Sequence, residues 1–143
     1  MKGRKGFTII ELIIVIAVIS ILIGIALPRF RGMQEAGYIA QAKGELRTLQ
    51  TAVESYYIHN DDTLPGDLDD LTDDTPNIIG EELPTDPFDP GEDYGYSTSG
   101  NYYIIYSVGP GGDGSASVDD EGEAEDEGNA IYVTNGSPRD TSP

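Results

Sequence analysis

The 143-residue chain has no cysteine, no tryptophan and a single histidine, and beyond residue 60 it has one base, Arg139. Without cysteine there is no internal disulfide and no CxxCH haem attachment. One histidine, His59, with no nucleophile elbow, phosphate loop or HExxH, leaves no recognisable catalytic constellation, and the chain reads as a non-enzyme. A lone histidine at the end of a helix reads as a surface or capping residue. From Asp61 onward 22 acids face the single base Arg139, so the soluble part is strongly anionic. Nucleic acid is not expected as a partner. Such a surface needs counter-ions, basic partners or divalent metal.

What the chain does have is one long apolar run. The basic hexapeptide MKGRKG gives way to FTIIELIIVIAVISILIGIAL, 21 residues from Phe7 to Leu27. At about 1.5 Å per residue a helix of that length crosses the roughly 30 Å hydrocarbon core of a bilayer. Its one charge is Glu11, and a carboxylate in hydrocarbon is costly unless it is paired. Either Glu11 has a partner, or it sits one turn inside the interface and reaches out to water. A secretory signal would place small residues after the apolar run; here Gly6 precedes it, and Pro28, Arg29, Phe30 and Arg31 follow. Cleavage at Gly6 leaves the helix on the mature protein. It also removes Lys2, Arg4 and Lys5, taking the formal side-chain charge from −18 to −21. Three bases before the span against two just after it barely favour a cytoplasmic amino terminus.

Past the span, Ile39, Ala42, Leu46, Leu49, Val53 and Tyr56 recur at alternating intervals of three and four, one apolar stripe on a helix. One helix of about 53 residues, close to 80 Å, is expected from Phe7 to His59. Gly24 and Pro28 make its weak point, either as a membrane-protein kink or as a place to unwind. NDDTLPGDLDDLTDDTPN then reads as a connecting loop with a short turn at Leu68 to Leu71. Tyr94 to Ser97, a turn at Thr98 to Gly100 and the run NYYIIYSVG read as a hairpin, with Ala130 to Thr134 as a third strand. The tail NGSPRDTSP is expected to fray. The fold class is therefore α+β, a long amino-terminal helix packed on a small antiparallel sheet with a long acidic loop. Residues 1–6 form a leader, 7–28 a membrane segment, 29–59 the amphipathic continuation, and 60–143 the acidic domain. The nine tyrosines suggest an aromatic path for electrons, but half-buried packing explains them.

The stretch KGFTIIELIIVIAVISILIGIALP resembles the amino-terminal signature of type IV pilins and type II secretion pseudopilins. That resemblance implies cutting after Gly6 by a prepilin peptidase on the cytoplasmic side and N-methylation of the new terminus, Phe7. It implies that Glu11 meets the Phe7 amine of a neighbouring subunit during assembly, and that the region around Pro28 unwinds in the polymer. LPTDPFDPGEDYGY followed by YYIIYSVGPGGDG further resembles major pseudopilins of type II secretion, in which a calcium loop follows. The implied protein is an inner-membrane, single-pass subunit with its carboxy-terminal domain in the periplasm. It forms a homopolymer that works with other pseudopilins and the inner-membrane secretion platform to drive protein secretion. The alternative is a type IV pilus major pilin for adhesion or motility.

Calcium takes six to eight hard oxygen ligands, and GPGGDGSASVDDEGEAEDEG offers carboxylates and a glycine-rich backbone. By the resemblance, Asp113, Asp119 and Asp120 are the candidate ligands, Asp113 mapping best. Glu123, Glu125, Glu127 and Gly128 copy some offsets of an EF-hand loop, but the twelfth position is Thr134, so no EF-hand is assigned. A solvated acidic loop without a specific ion remains the other reading of the same residues.

Overall fold

The structure is a computed structural model that describes residues 6–73, 78–80 and 82–138, without the side chains of residues 28 and 29. Most of the leader, the middle of the connecting segment and the last five residues of the tail therefore lie outside the described residues. The chain parts into two compact units, Met1–Ala36 and Gly37–Pro143. Helix α1, Ile9–His59, contributes to both.

Among the described residues of the first unit, the large apolar side chains stand exposed. Phe7 is 86 % exposed, and every large apolar residue from Ile9 to Leu27 is exposed too. The segment is long and apolar enough to cross a membrane by length and composition. Beyond Thr8 and Glu11 at its start, Ser20 interrupts its apolar texture, and its hydroxyl donates back to the Ile16 carbonyl at 2.7 Å, so the polar atom is satisfied within the helix. The helix runs without interruption through residues 24–28.

In the second unit the sequence stripe becomes the core face. Ala42, Leu46, Leu49 and Val53 are fully buried, while Ile39 and Tyr56 are half-buried at the two ends of the stripe. The helix stops after His59, whose Nδ1 donates to the Ser55 carbonyl at 2.7 Å. Asp61 and Asp62 follow in left-handed backbone, φ 50° and 57°. The Asp62 amide donates to the Tyr57 carbonyl at 3.1 Å, satisfying one of the orphan acceptors of the last turn. A short helix α2, Asp70–Asp73, then buries Leu71 against α1, slightly later than the turn expected at Leu68 to Leu71.

Strands β1, Gly95–Ser99, and β2, Tyr102–Ser107, form the expected hairpin. Its two-residue turn is Gly100–Asn101, later than the expected Thr98 to Gly100. Gly100 takes φ 57° at the first central position, where a type II′ turn calls for glycine. The third strand, β5, Ile131–Thr134, pairs antiparallel with the other edge of β2. The sheet order β1-β2-β5 makes β2 central. Its run YYIIY is buried on both faces: Tyr103 and Ile105 meet α1, while Ile104 points the other way. A strand covered on both sides reads as a continuous apolar run rather than an alternation.

The cover on that far side was not expected. Residues read as a long acidic loop form a second sheet: β3, Ser115–Val118, pairs antiparallel with β4, Glu123–Glu127, and β4 pairs in parallel with the two-residue β6, Ser137–Pro138. Ala116, Val118 and Ala124 turn inward onto Ile104, Tyr102, Tyr106 and Tyr132. The second unit thus has three layers, helix, central sheet and outer sheet. The inward residues are small, so their alternation is faint beside the acids that flank them.

Candidate functional site

The start of α1 is built by the four residues Thr8 to Glu11. The Glu11 amide donates to the Thr8 hydroxyl at 3.3 Å, and the Glu11 carboxylate accepts from the Thr8 amide at 3.0 Å and from the Thr8 hydroxyl at 2.8 Å. This is a reciprocal capping box, in which helix residue three answers the cap residue and two orphan donors are satisfied together. The positive end of the helix dipole also favours a carboxylate there. Within one chain, then, Glu11 already has hydrogen-bond donors. Gly6 and Phe7 lie just outside, exposed and in no regular element. The T-x-x-E spacing was present in the sequence as a helix-start signal, alongside the charge argument that singled out Glu11 alone.

A second cluster was missed by sequence reasoning. Asp86 is 1 % exposed. One carboxylate oxygen accepts from the Ser107 hydroxyl at 2.8 Å and the Phe88 amide at 3.0 Å, and the other accepts from the Val108 amide at 2.8 Å. The loop closes on itself through the Asp86 amide on the Glu92 carbonyl at 3.0 Å and a bridge between Thr85 and Asp93. Asp86 therefore ties the TDPFDPG loop to the end of β2. A buried carboxylate is tolerable only when its lone pairs are met, and here three donors meet them. The sequence carried no local sign of this, because the partners at Ser107 and Val108 lie 21 and 22 residues away.

Tyrosines fasten the helix to the rest of the unit. The Tyr94 hydroxyl donates to Glu45, and that of Tyr103 to Glu54 at 3.2 Å. Tyr96 donates to the Pro65 carbonyl at 3.0 Å. Burial, then the Glu45 hydrogen bond and charge, push the Tyr94 phenol well above its ordinary range. Burial likewise raises Tyr96 and Tyr103, with Glu54 adding to the effect on Tyr103. These contacts place the tyrosines in packing and fastening roles.

The three candidate calcium ligands do not converge. Asp113 precedes β3, and Asp119 and Asp120 follow it, so the ends of the strand hold them about 20 Å apart along an extended backbone. One ion cannot take all three. Among the described residues no group of three or more His, Cys, Asp or Glu side chains is placed to hold a metal ion. Asp119 instead shapes the β3–β4 turn, its Oδ1 accepting the amides of Glu121 at 3.0 Å and Glu123 at 2.8 Å. The glycine-rich loop has a packing reason of its own. At Gly109, φ 68°, a Cβ would lie 1.8 Å from the Asn129 carbonyl oxygen, so only glycine lets these two backbones meet.

Residues 1–27 match the family described as "Prokaryotic N-terminal methylation motif". Over 55 residues the chain is 46 % identical to a fimbrial protein of Pseudomonas aeruginosa, covering 38 % of this chain and 36 % of that one. It is 44 % identical over 58 residues to the type IV major pilin protein PilA of Myxococcus xanthus, covering 41 % and 26 %. It is 48 % identical over 59 residues to the fimbrial protein EcpB of Eikenella corrodens, covering 41 % and 37 %. The chain thus spans between about a quarter and two fifths of these relatives' lengths. No solved structure matches it. The motif and the pilin relatives support membership of the pilin superfamily and do not single out the type II secretion branch.

Proposed function

We propose that this chain is the subunit of a type IV pilus-like filament, held in a membrane by α1 before assembly and polymerised through it. The observation that carries the reading is the methylation motif on a helix whose apolar residues from Ile9 to Leu27 are all exposed, while the second unit completes its own core. A helix of that kind needs lipid or copies of itself around it. The relatives named as type IV major pilins and fimbrial proteins favour a surface pilus over the secretion pseudopilus expected from the sequence.

In this reading a prepilin peptidase cuts between Gly6 and Phe7, and Phe7 is methylated. The capping box outlasts the cut, because the Thr8 amide that Glu11 accepts is the Phe7–Thr8 peptide and not the severed bond. The new ammonium of Phe7 therefore appears one residue before Thr8, whose amide and hydroxyl already hold the Glu11 carboxylate at the helix start. Glu11 can then exchange intrachain donors for the amine of a neighbour. Opposite charges at low effective dielectric attract far more strongly than in water.

The test is direct. Mass spectrometry of the purified mature protein should show a methylated phenylalanine terminus at residue 7, and electron microscopy should show filaments. Mature protein that still begins at Met1 and polymerises normally would end the proposal. Deletion of the chain separates the two machineries: a surface pilin loses extracellular fibres and keeps exoprotein secretion. The reverse phenotype restores the pseudopilus, which LPTDPFDPGEDYGY resembles, against the pilin relatives, whose matches span under half of the chain.

A further inference from the structure

On the solvent side of α1, Gly37 and Gly44 stand seven residues apart, two helical turns, and so share one face. A Cβ at either would meet nothing within 4 Å, so no packing inside the chain calls for glycine there. Exposed helical glycine is nonetheless less favourable than alanine. Ala40, Thr48 and Thr51, also exposed, keep the same side of the helix low.

Lys43 and Arg47 line that strip, exposed and four residues apart. Neither has an acid three or four residues away on the helix; Lys43 has Ile39, Ala40 and Leu46, and Arg47 has Gly44, Gln50 and Thr51. Two like charges at this spacing repel. The strip is thus a shallow, cationic seat that destabilises the free helix in two separate ways.

We propose that this strip receives the acidic β3–β4 hairpin of a second copy of the chain. This rests on the filament reading and adds to it a contact outside the membrane segment. Charge selects the occupant: residues 37–143 hold 24 acids and only Lys43, Arg47 and Arg139 as bases, so the surface a second copy offers is chiefly carboxylate. Position selects the hairpin: Glu127 is exposed on β4, with Asp126 on the same strand and Asp120 and Glu121 in the β3–β4 turn exposed too, so Lys43 and Arg47, their Cβ atoms about 5–6 Å apart, have several exposed carboxylates to meet. The hairpin lies in the outer layer and the strip on the helix, across the central sheet. A contact between two different surfaces is heterologous, and a heterologous contact propagates into open filaments.

The experiment compares four full-length chains for filament mass in membranes and for association and melting in detergent. Gly44→Leu should raise the melting temperature by a few degrees yet cut filament mass about tenfold or more. Arg47→Glu should cut it similarly, and Arg47→Glu with Glu127→Arg should recover most of it. Wild-type association should weaken as salt rises. Wild-type levels of assembly in either single variant would overturn the seat, and failure of the charge swap to restore assembly would overturn the hairpin as its occupant. A wild-type chain that makes no filaments at all would remove the filament reading instead. The seat would then stand or fall on salt-sensitive association in detergent and its loss in Arg47→Glu.

Discussion

The two units of this chain solve opposite problems. Residues 9–27 present apolar side chains with no protein around them, and their backbone and few polar atoms are satisfied locally, by the capping box and by Ser20. The second unit buries its apolar residues in two clusters on either face of β2 and, Asp86 apart, turns most of its described carboxylates outward. One unit is defined by what it lacks and must find elsewhere, the other by what it already holds. The lesson is that lesions in the two should show up in different measurements.

The largest separation is expected at Glu11. On the proposed filament, Glu11→Ala removes one partner of the charge pair with a neighbour's Phe7, a loss of about 3–5 kcal/mol. Filament mass should collapse while the thermal unfolding of the second unit stays within about 0.5 kcal/mol of wild type. A shift in unfolding as large as the shift in assembly would show that the units are not separable.

Leu46→Ala should do the converse. Truncating a fully buried leucine costs about 2–5 kcal/mol, read as a lower melting temperature, with membrane insertion unchanged. Next in size is Asp86→Ala, which strands the donors at Ser107, Phe88 and Val108. About 1–3 kcal/mol is expected for such an unsatisfied buried group, with early protease nicking between residues 85 and 93 as a second readout.

Alkaline pH should reach the folding of the second unit through its buried phenols. A phenol whose folded pKa is raised stabilises fully below the unfolded value of about 10 and loses that contribution as pH climbs toward the folded value. Melting temperature should therefore be flat to about pH 10 and fall above it, and Tyr94→Phe should make the fall shallower. An unchanged slope would mean that burial of Tyr94 contributes nothing to the pH response.

The smallest effect is sought at Asp113. An ion there has to draw on carbonyls of the Gly109–Gly114 loop rather than on Asp119 and Asp120. Calcium should then raise the melting temperature by mass action, and both chelator and Asp113→Ala should abolish the rise. Identical curves with and without calcium leave a solvated acidic hairpin.

Local signals carried most of the fold. The stripe from Ile39 to Tyr56 gave the helix and its buried face, and YYIIY beside a short polar turn gave the central hairpin, because both are periodic over neighbouring residues. The outer sheet was hidden by composition: Ala116, Val118 and Ala124 alternate correctly, but among so many carboxylates the segment reads as a mobile loop. Asp86 was hidden by distance, since no local pattern ties a TDP turn to residues 107 and 108. At the amino terminus the residue was legible and half its chemistry was not, because asking where Glu11 finds a cation passed over the threonine three residues earlier.

The place where α1 begins has one more consequence. Proteolytic enzymes grip their substrates as stretched backbone, and a helix must first be melted before it can be gripped. Here the cap sets the frontier of helical hydrogen bonding at Thr8, so the Gly6–Phe7 linkage stands beyond it with no ladder to undo. A processing enzyme at the membrane face would meet an already open target, and Thr8→Ala, by letting the frontier drift, would change the speed of maturation before it changed the finished fibre.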